Sequence, residues 1–586
     1  MKVLLLHPDD VPWRGKWAAC HWDLVVDLSF AGANVYEEWS KRTGARVISL
    51  RQFAGQTESH RWVNEILEHA RGQFLDRLGL DWWEILAPCG YQELQALYLL
   101  RQLQQELGPG SVEIFATRAH PHVRLLSVIT GFQISCFIAV SSPARRFASR
   151  IYAAAQTLRP SQSLEIAFDK WDPSYRFRSR IAKHRRVHLS APVVLLPSAY
   201  SNVTRAQLAY ATQLPDRRFL LATTRHSGES EDLPSNVDSV PIAAYAEDSS
   251  QTGAEIAEFV KSWNLLKARL SEVRELRQGL GPGLWDYFPE HLKSGLRIRD
   301  AWQILMSSEP VAAVLCGDDL NYYTRLPLIL AKHMGRVAIY FSHGALDGGL
   351  LFKKSYADRH LVKGEMERDY MLRVSDIELD KIEIAAPIET GHEDVRTTFT
   401  ASRSGDIVFF SQPYEVSGGR AKEIYGELLP RIAAVAQQIN RKVILKLHPF
   451  ESKRGRERLL RTILRDRDYA RFEISRTAAA SVIPHALCGV GLDSSVAVEC
   501  AQRGIPYFLC GWLDFSGFGY MQQFAKFGVG IVLDSPDQIL TIPQRLKEFR
   551  PDPSKIKKLW QPADSDRLDE IMFGNNRVFT ADKCAS

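Results

Sequence analysis

Two short stretches of this sequence carry side chains suited to holding a phosphate and easing its departure. In Val443-Ile-Leu-Lys446-Leu-His448-Pro449-Phe450 an apolar run ends abruptly in His-Pro. Proline has no N–H for a β-ladder and presets a turn, so the run reads as a buried strand whose carboxyl end presents His448. An imidazole there can donate to a phosphate oxygen, and as an imidazolium it can neutralise or protonate a leaving phosphate. Lys446, two residues earlier, shares a strand face with His448. In Gly491-Leu-Asp493-Ser494-Ser495-Val-Ala-Val-Glu499, Asp493 or Ser494 fits the N-cap of a helix that Gly504 and Pro506 stop. The free N–H groups, two hydroxyls and positive dipole end of that helix suit a phosphate. The dipole alone contributes only about 0.3–1 kcal/mol, so several hydrogen bonds must share the work. The same residues would equally cap their own helix.

Further candidates lie at other strand ends. Val311–Cys316 closes in Gly317-Asp318-Asp319, and Arg336–Phe341 closes in Ser342-His343-Gly344. His343 can act as a base because imidazole titrates near neutral pH. The glycines at 344, 348 and 349 would let a substrate approach the backbone. The loop after Lys2–Leu6 offers His7, Asp9 and Asp10 as bases, with Trp13, Arg14, Trp17 and Trp22 as acceptor contacts. Trp13 and Trp17 are also spaced as a helix would space packing residues. The strand Asp406–Phe410 ends in Ser411-Gln412, which adds Gln412 and, from the Ser-Ser helix, Glu499 to the phosphate-side set.

Such residues need strands to hold them at one edge. Short apolar runs recur at Ala45–Leu50, Val112–Ala116, Ile134–Ile138, Pro192–Leu196, Phe219–Ala222, Tyr356–Val362, Ala486–Leu492, Tyr507–Cys510 and Gly530–Leu533. Segments of helical spacing separate most of them. This alternation predicts an α/β fold of parallel sheets whose strand-end loops converge on one crevice. The predicted division is an N-terminal Rossmann-like domain over 1–390 with insertions at about 140–190 and 225–310. A linker at 391–404, a second Rossmann-like domain over 405–550 and a tail at 551–586 packing across the domains follow. Arg225–Gly253, rich in Ser, Glu, Asp, Pro and Gly, reads as a surface loop. The basic run Lys453–Arg467 reads as a solvated helix face.

Composition narrows the function class. The 586 residues are 45% hydrophobic and 24% charged, the balance of a globular chain too long for a single core. A net charge of +6 from 74 basic and 68 acidic residues argues against a dedicated nucleic-acid binder, while leaving anionic small ligands and an acidic membrane surface compatible. The eight cysteines form no Cys-x-x-Cys and no regular His/Cys spacing, so neither a zinc site nor a disulfide framework is expected. There is no Gly-x-Gly-x-x-Gly for a dinucleotide, and no run near the roughly 20 apolar residues of a membrane span. The expected location is the cytoplasm, with at most peripheral attachment at the inner face of a membrane.

Two Rossmann-like halves with His448-Pro449 and then Ser494-Ser495 in the second resemble the GT-B glycosyltransferases. More narrowly, they resemble the bacterial polysialyltransferases, sialyltransferases and Kdo transferases that carry an HP and an SS motif and use CMP-activated sugars. Glu499 and Gly504-Ile-Pro506 extend the second motif as in that family. The resemblance implies a cleft between two facing domains and a C-terminal helix crossing back. It also implies contact of His448, Ser494 and Ser495 with the donor phosphate, and no metal or other cofactor. Phe341-Ser-His343-Gly344 with Val362-Lys-Gly364-Glu365 resembles capsule and surface-polysaccharide synthesis proteins. The CDP-glycerol glycerophosphotransferases share a His-Gly and His-Pro pair, which implies a base role for His343. The expected activity is transfer of a sugar from a nucleotide donor to a glycan or lipid-linked acceptor. Glycerophosphate transfer, sugar-nucleotide epimerisation and an inactive scaffold of a polysaccharide assembly complex are the alternatives.

Overall fold

The computed structural model of the chain describes residues 1–138, 186–388 and 405–574, apart from positions 56, 109–110, 248–249, 282, 416 and 515. The linker expected at 391–404, and nearly all of the insertion expected at 140–190, lie outside the described residues.

Continuous apolar runs form the centre of each sheet because they are covered on both faces: Val193–Ser198 and Val311–Cys316 are buried throughout. The first sheet comprises β1 (Lys2–Leu6), β2 (Leu24–Asp27), β3 (Arg46–Ser49), β4 (Glu113–Arg118) and β5 (Ser135–Ile138). The second comprises β6 (Val193–Ser198), β7 (Arg218–Thr223), β8 (Val237–Pro241), β9 (Val311–Cys316), β10 (Val337–Phe341), β11 (Arg359–Val362) and β12 (Ile382–Ile384). The third comprises β13 (Asp406–Phe410), β14 (Val443–Lys446), β15 (Phe472–Ser475), β16 (Ala486–Gly491), β17 (Tyr507–Cys510) and β18 (Ile531–Leu533).

The strand orders are β3-β2-β1-β4-β5, β12-β11-β10-β9-β6-β7-β8 and β15-β14-β13-β16-β17-β18, and the ladders are parallel. In each sheet the chain runs outward from its first strand, then returns and builds in the opposite direction. The reversal falls between β1 and β4, between β6 and β9, and between β13 and β16. At such a reversal the connections leave to opposite faces, and a crevice opens beyond the carboxyl ends of the two strands. The expected α/β class with Rossmann-like parallel sheets is therefore the fold observed.

The described chain divides into two compact units. One contains residues 1–62, 95–138 and 405–559, and the other residues 63–94, 186–388 and 560–574. The stretch 1–390, read from the sequence as one Rossmann-like domain, thus carries two sheets, and the first shares a unit with the third. The reason is a common core: Val35, Tyr36 and Trp39 of the helix Ala33–Thr43 cluster with Ile424, Tyr425 and Leu428 of the helix Ala421–Gln438. Arg420, at the start of the latter helix, donates to both Asp27 oxygens at 2.7 and 2.9 Å and to the carbonyls of His7, Pro8 and Asp10 at 3.0, 2.7 and 2.9 Å.

In the other unit, Arg225–Gly253 is not simply a surface loop. It contains β8, and Asn236 holds the turn before it by donating to the carbonyls of Ala211, Leu214 and Arg217 at 3.0, 3.0 and 3.1 Å. The following segment forms the helices Ser250–Leu270, Arg274–Leu280 and Phe288–Ser308. In this unit Leu568, Met572 and Phe573 of the helix Ser565–Phe573 join the core of the second sheet. Among the described residues, no helix is long and apolar enough to cross a membrane, and no disulfide joins the cysteines.

Candidate functional site

The β13/β16 reversal in the third sheet brings the phosphate-side candidates to one edge. Ser411-Gln412 follows β13, Asp493-Ser494-Ser495 follows β16, and His448 follows β14, the neighbour of β13. With strands about 4.8 Å apart, His448 and Ser494 stand on strands roughly 10 Å apart with Gln412 on the strand between them.

The His448 loop is fixed by a glutamate that the sequence reading passed over. Glu451 Oε2 accepts the His448 N–H at 2.7 Å, and the Glu451 N–H donates to the His448 carbonyl at 2.9 Å. The other oxygen, Oε1, accepts from Ser411 Oγ at 2.6 Å, Arg456 Nε at 2.6 Å and Tyr425 OH at 3.2 Å. Arg456 also pairs with Glu415 at 2.7 and 2.8 Å. Glu451 is 5% exposed and Arg456 6%, so this carboxylate and guanidinium are a buried pair rather than part of a solvated face.

The ring of His448 has a defined tautomer. Its Nδ1 accepts the Phe450 N–H at 3.3 Å, so the neutral ring carries its proton on Nε2 and presents a donor. Burial lowers its pKa, Glu451 partly opposes this, and Lys446 adds to it. The shift favours the neutral imidazole, the donor form of the two considered from sequence. Lys446 donates to the Leu447 carbonyl at 2.5 Å, and burial lowers its pKa too.

The Ser-Ser helix runs Ser495–Gln502 with Ser494 at the N-cap in extended conformation (φ −129°, ψ 156°), yet the Ser494 side chain makes no capping hydrogen bond. Its hydroxyl is thus not consumed by the helix it introduces. The approach to it is shaped by glycines. A Cβ on Gly491 would lie 2.4 Å from the Tyr507 hydroxyl, and one on Gly489 2.4 Å from the Tyr507 ring. Tyr507 OH donates to the Leu492 carbonyl at 3.1 Å and so fixes the turn into Asp493. The Asp493 carboxyl is pushed up from 3.8 to about 7, first by burial and then by the neighbouring Asp514 charge. Glu499 lies half-buried one turn into the helix, and Gln412 is half-buried after β13.

The N-terminal loop belongs to the same unit. Asp10 is 6% exposed and holds Arg118 through both oxygens at 2.6–3.1 Å, so it is a structural ion pair and not an open base. Asp9 is exposed, and its N–H donates to His7 Nδ1 at 3.2 Å. Trp17 and Trp22 are core residues: the Trp17 indole N–H donates to the Val11 carbonyl at 2.9 Å, and that of Trp22 to the Trp17 carbonyl at 2.9 Å. Neither offers a face for stacking. Trp13 is half-buried with the Arg42 guanidinium 4.1 Å over its ring, and Arg14 is exposed.

In the other unit, the β6/β9 reversal gathers Tyr200, Asp318 and, one strand further, His343. His343 is exposed with Nδ1 2.6 Å from the Gly317 carbonyl, so Nδ1 carries the proton and Nε2 has a free lone pair. Lys363 pins the loop by donating to the carbonyls of Ser342 and Gly344. Asp318 is 5% exposed, bonded by Asn321 Nδ2 at 2.6 Å; burial raises its pKa while the His343 charge lowers it. Asp319 is committed to a buried ion pair with Lys353 at 2.7 Å, which removes it as a base. A Cβ on Gly349 would lie 2.9 Å from Asp347 Oδ1 and from Leu320 Cδ2, closer than a Cβ tolerates, whereas one on Gly344 would meet nothing nearer than 3.8 Å. Unforeseen from sequence, Arg225 lies 5.3 Å over both the Tyr200 and Tyr323 rings and donates to Tyr200 OH at 3.2 Å. Among the described residues, no group of three or more His, Cys, Asp and Glu side chains is arranged to hold a metal ion.

No family model and no curated protein matches the chain. Among solved structures it is similar to the UDP-GlcNAc 2-epimerase of Methanocaldococcus jannaschii, with a TM-score of 0.40 and 11% identity over 65% of this chain and 99% of that one. It is similar to the UDP-GlcNAc 2-epimerase of Neisseria meningitidis at 0.38 and 11%, over 65% and 97% of the two chains. For the wall teichoic acid polymerase TagF the values are 0.34 and 10%, over 74% and 94%. Likeness this remote assigns no role to any residue.

Proposed function

We propose that the protein is a metal-independent GT-B glycosyltransferase acting at the cytoplasmic face of a membrane. It moves a sugar from a nucleotide-activated donor, CMP-linked and of the sialic acid or Kdo type, to a glycan or lipid-linked acceptor of surface polysaccharide synthesis. One observation supports this above the others: at the β13/β16 crevice the Ser494 hydroxyl is left uncapping while His448, on a loop fixed by Glu451, presents Nε2–H. These donors suit a phosphate whose charge grows as the bond to the sugar breaks and its electrons pass to the phosphate oxygen.

An inverting transfer requires a base for the acceptor hydroxyl. Of the candidates, His343 has a ring nitrogen ready to take the proton, and Asp9 has an exposed carboxylate. Asp10 and Asp319 are excluded from that role by their buried cation partners.

The test is turnover of a donor panel by the wild type and His448→Ala, with folding followed by circular dichroism. Release of CMP from a CMP-sugar only when acceptor is present, unaffected by a chelator and abolished in the folded variant, is the expected result. Consumption of CDP-glycerol, acceptor-independent epimerisation of a UDP-sugar, or full activity of the variant contradicts the proposal.

A further inference from the structure

The sequence holds three His-Pro pairs, at His7-Pro8, His120-Pro121 and His448-Pro449. They follow the carboxyl ends of β1, β4 and β14, and β1 and β4 are the strands between which the first sheet reverses. The three histidines share one local device. In each, Nδ1 accepts the N–H two residues on, from Asp9 at 3.2 Å, from His122 at 3.2 Å and from Phe450 at 3.3 Å. The neutral ring therefore holds its proton on Nε2 and presents a donor there. In the third sheet that donor belongs to the phosphate edge described above. In the first sheet there are two such donors, and no step proposed above uses either.

The backbone around both rings is fixed. The His7 N–H donates to the buried Thr117 hydroxyl of β4 at 3.0 Å, and the His7 carbonyl accepts from Arg420 at 3.0 Å. His120 is the N-cap of the helix Pro121–Thr130. The rings of His7 and His120 meet edge to face with centroids 5.6 Å apart, and His122 packs on His120 at 4.6 Å. All three imidazoles are half-buried. Nε2–H of His7 and of His120 has no acceptor among the described residues, and His122 Nδ1 is buried with no partner among them. Burial, and after it the His7 charge, pushes His120 down to about 4, and burial takes His122 to about 3. Burial lowers His7 as well, against the opposing charges of Asp9 and Asp10. Neutral N–H groups are thus withdrawn from water at a sheet crevice, and no described residue offsets the cost.

A metal does not suit these rings. Ligation at Nε2 would place the proton on Nδ1, where a backbone N–H is already received. Two N–H donors suit an anionic oxygen group instead. Centroids 5.6 Å apart keep the two Nε2 atoms within about 8 Å of each other, the span of two oxygens of one phosphate each accepting at about 2.8 Å. The positive end of the helix Pro121–Thr130 lies at the same point. Of the nearby carboxylates, Asp10 is met by Arg118 and Asp27 by Arg420, while Asp9 is 68% exposed and screened by water.

We propose that the crevice between β1 and β4 is a second phosphate site, separate from the β13/β16 edge, at which His7 Nε2–H and His120 Nε2–H hold a phosphate group. That group is the phosphate of a lipid-linked molecule or the free ion, and the two rings recognise what these have in common. The site does not depend on the donor chemistry proposed above.

Calorimetric titration with inorganic phosphate and with hexyl phosphate compares the full-chain wild type, His448→Ala and His7→Asn/His120→Asn. Asparagine keeps an acceptor for the N–H two residues on and remains a good N-cap, whereas the Nε2 donor is lost. Saturable binding that survives in His448→Ala and falls about tenfold or more in the asparagine variant, with an unchanged melting curve, is the expected result. Preference for hexyl phosphate assigns the site to a lipid-linked phosphate, and equal affinity assigns it to the free ion. Should the double variant misfold, His120→Asn alone and the imidazole nitrogen chemical shifts of the wild type under phosphate carry the same test, with Nε2 of His7 and His120 expected to move. No phosphate binding by the folded wild type, equal affinity in a folded asparagine variant, or loss of all binding in His448→Ala overturns the proposal.

Discussion

Replacing Glu451 by glutamine removes one charge from a buried point where four donors converge. Oε1 receives Ser411, Tyr425 and Arg456, and Oε2 receives the His448 N–H. A glutamine has a single acceptor oxygen and an NH2. If the oxygen keeps the Oε1 donors, the NH2 meets the His448 N–H; if the amide flips, the NH2 meets the other three. In either orientation at least one buried donor loses its acceptor, at about 1–3 kcal/mol. Arg456 loses one of two carboxylates but retains Glu415, so the full cost of about 3–5 kcal/mol for stranding a buried charge is not incurred. The expected destabilisation is therefore about 1–3 kcal/mol in the unit that contains the third sheet. Freed from its backbone anchor, His448 should also lose its fixed orientation, and kcat should fall about tenfold or more. Urea unfolding followed by circular dichroism gives the first quantity and initial rates of donor turnover the second. Arg458→Gln, exposed on the same stretch of chain, is the control and should stay within about 0.5 kcal/mol of wild type. A Glu451→Gln protein within about 0.5 kcal/mol and twofold of wild type would refute the claim that this carboxylate holds the loop.

Ser494→Ala separates capping from ligand binding. A true N-cap loses about 0.5–2 kcal/mol on such a change, but this hydroxyl makes no cap bond. Stability should stay within about 0.5 kcal/mol while nucleotide affinity falls roughly tenfold; thermal melts and calorimetry read the two. Asp493 titrates at about 7 in the fold against 3.8 unperturbed. Because the folded state holds the extra proton, the destabilisation by this group develops as pH rises from about 4 to about 7 and is complete above. Affinity for a phosphate should likewise weaken as pH rises through about 7, and a slope unchanged in Asp493→Asn would count against the assignment. His343→Gln should cut acceptor-dependent turnover by about 10²–10⁴ with donor binding intact, and a loss of donor binding instead would remove it as the base.

Much of the fold was legible because strands covered on both faces are continuous apolar runs. Lys2–Leu6, Val311–Cys316, Asp406–Phe410 and Tyr507–Cys510 coincide with β1, β9, β13 and β17. Four strands escaped notice: β2 (Leu-Val-Val-Asp) is buried throughout but only four residues long, and the other three carry weaker signals. β15 (Phe-Glu-Ile-Ser) and β8 (Val-Asp-Ser-Val-Pro) alternate or mix polar residues near sheet edges, and β12 has three residues. The grouping of the first and third sheets was not legible, because residues such as Trp39 and Tyr425 are brought together only by folding.

The same distinction divides the site. His448 and Ser494 announce themselves through local chemistry, a strand stopped by proline and a hydroxyl at a helix start. Glu451 and Arg456 do not: inside a basic run a buried arginine has the same neighbours in sequence as a solvated one, and only its carboxylate partners reveal it. Arg420 and Arg225 are likewise invisible until the carbonyls and rings they serve are in place. Asp10 and Asp319 err in the other direction, since acids at strand ends look available until a buried cation is found beside each.

The most direct measurement is calorimetric titration of the wild type, His448→Ala and Ser494→Ala with CMP, UDP and CDP. Saturable binding of CMP to the wild type, weakened about tenfold in each folded variant, is the expected result. Absence of nucleotide binding by the folded wild type, or equal affinity in all three proteins, contradicts a phosphate site at the His448 and Ser494 edge.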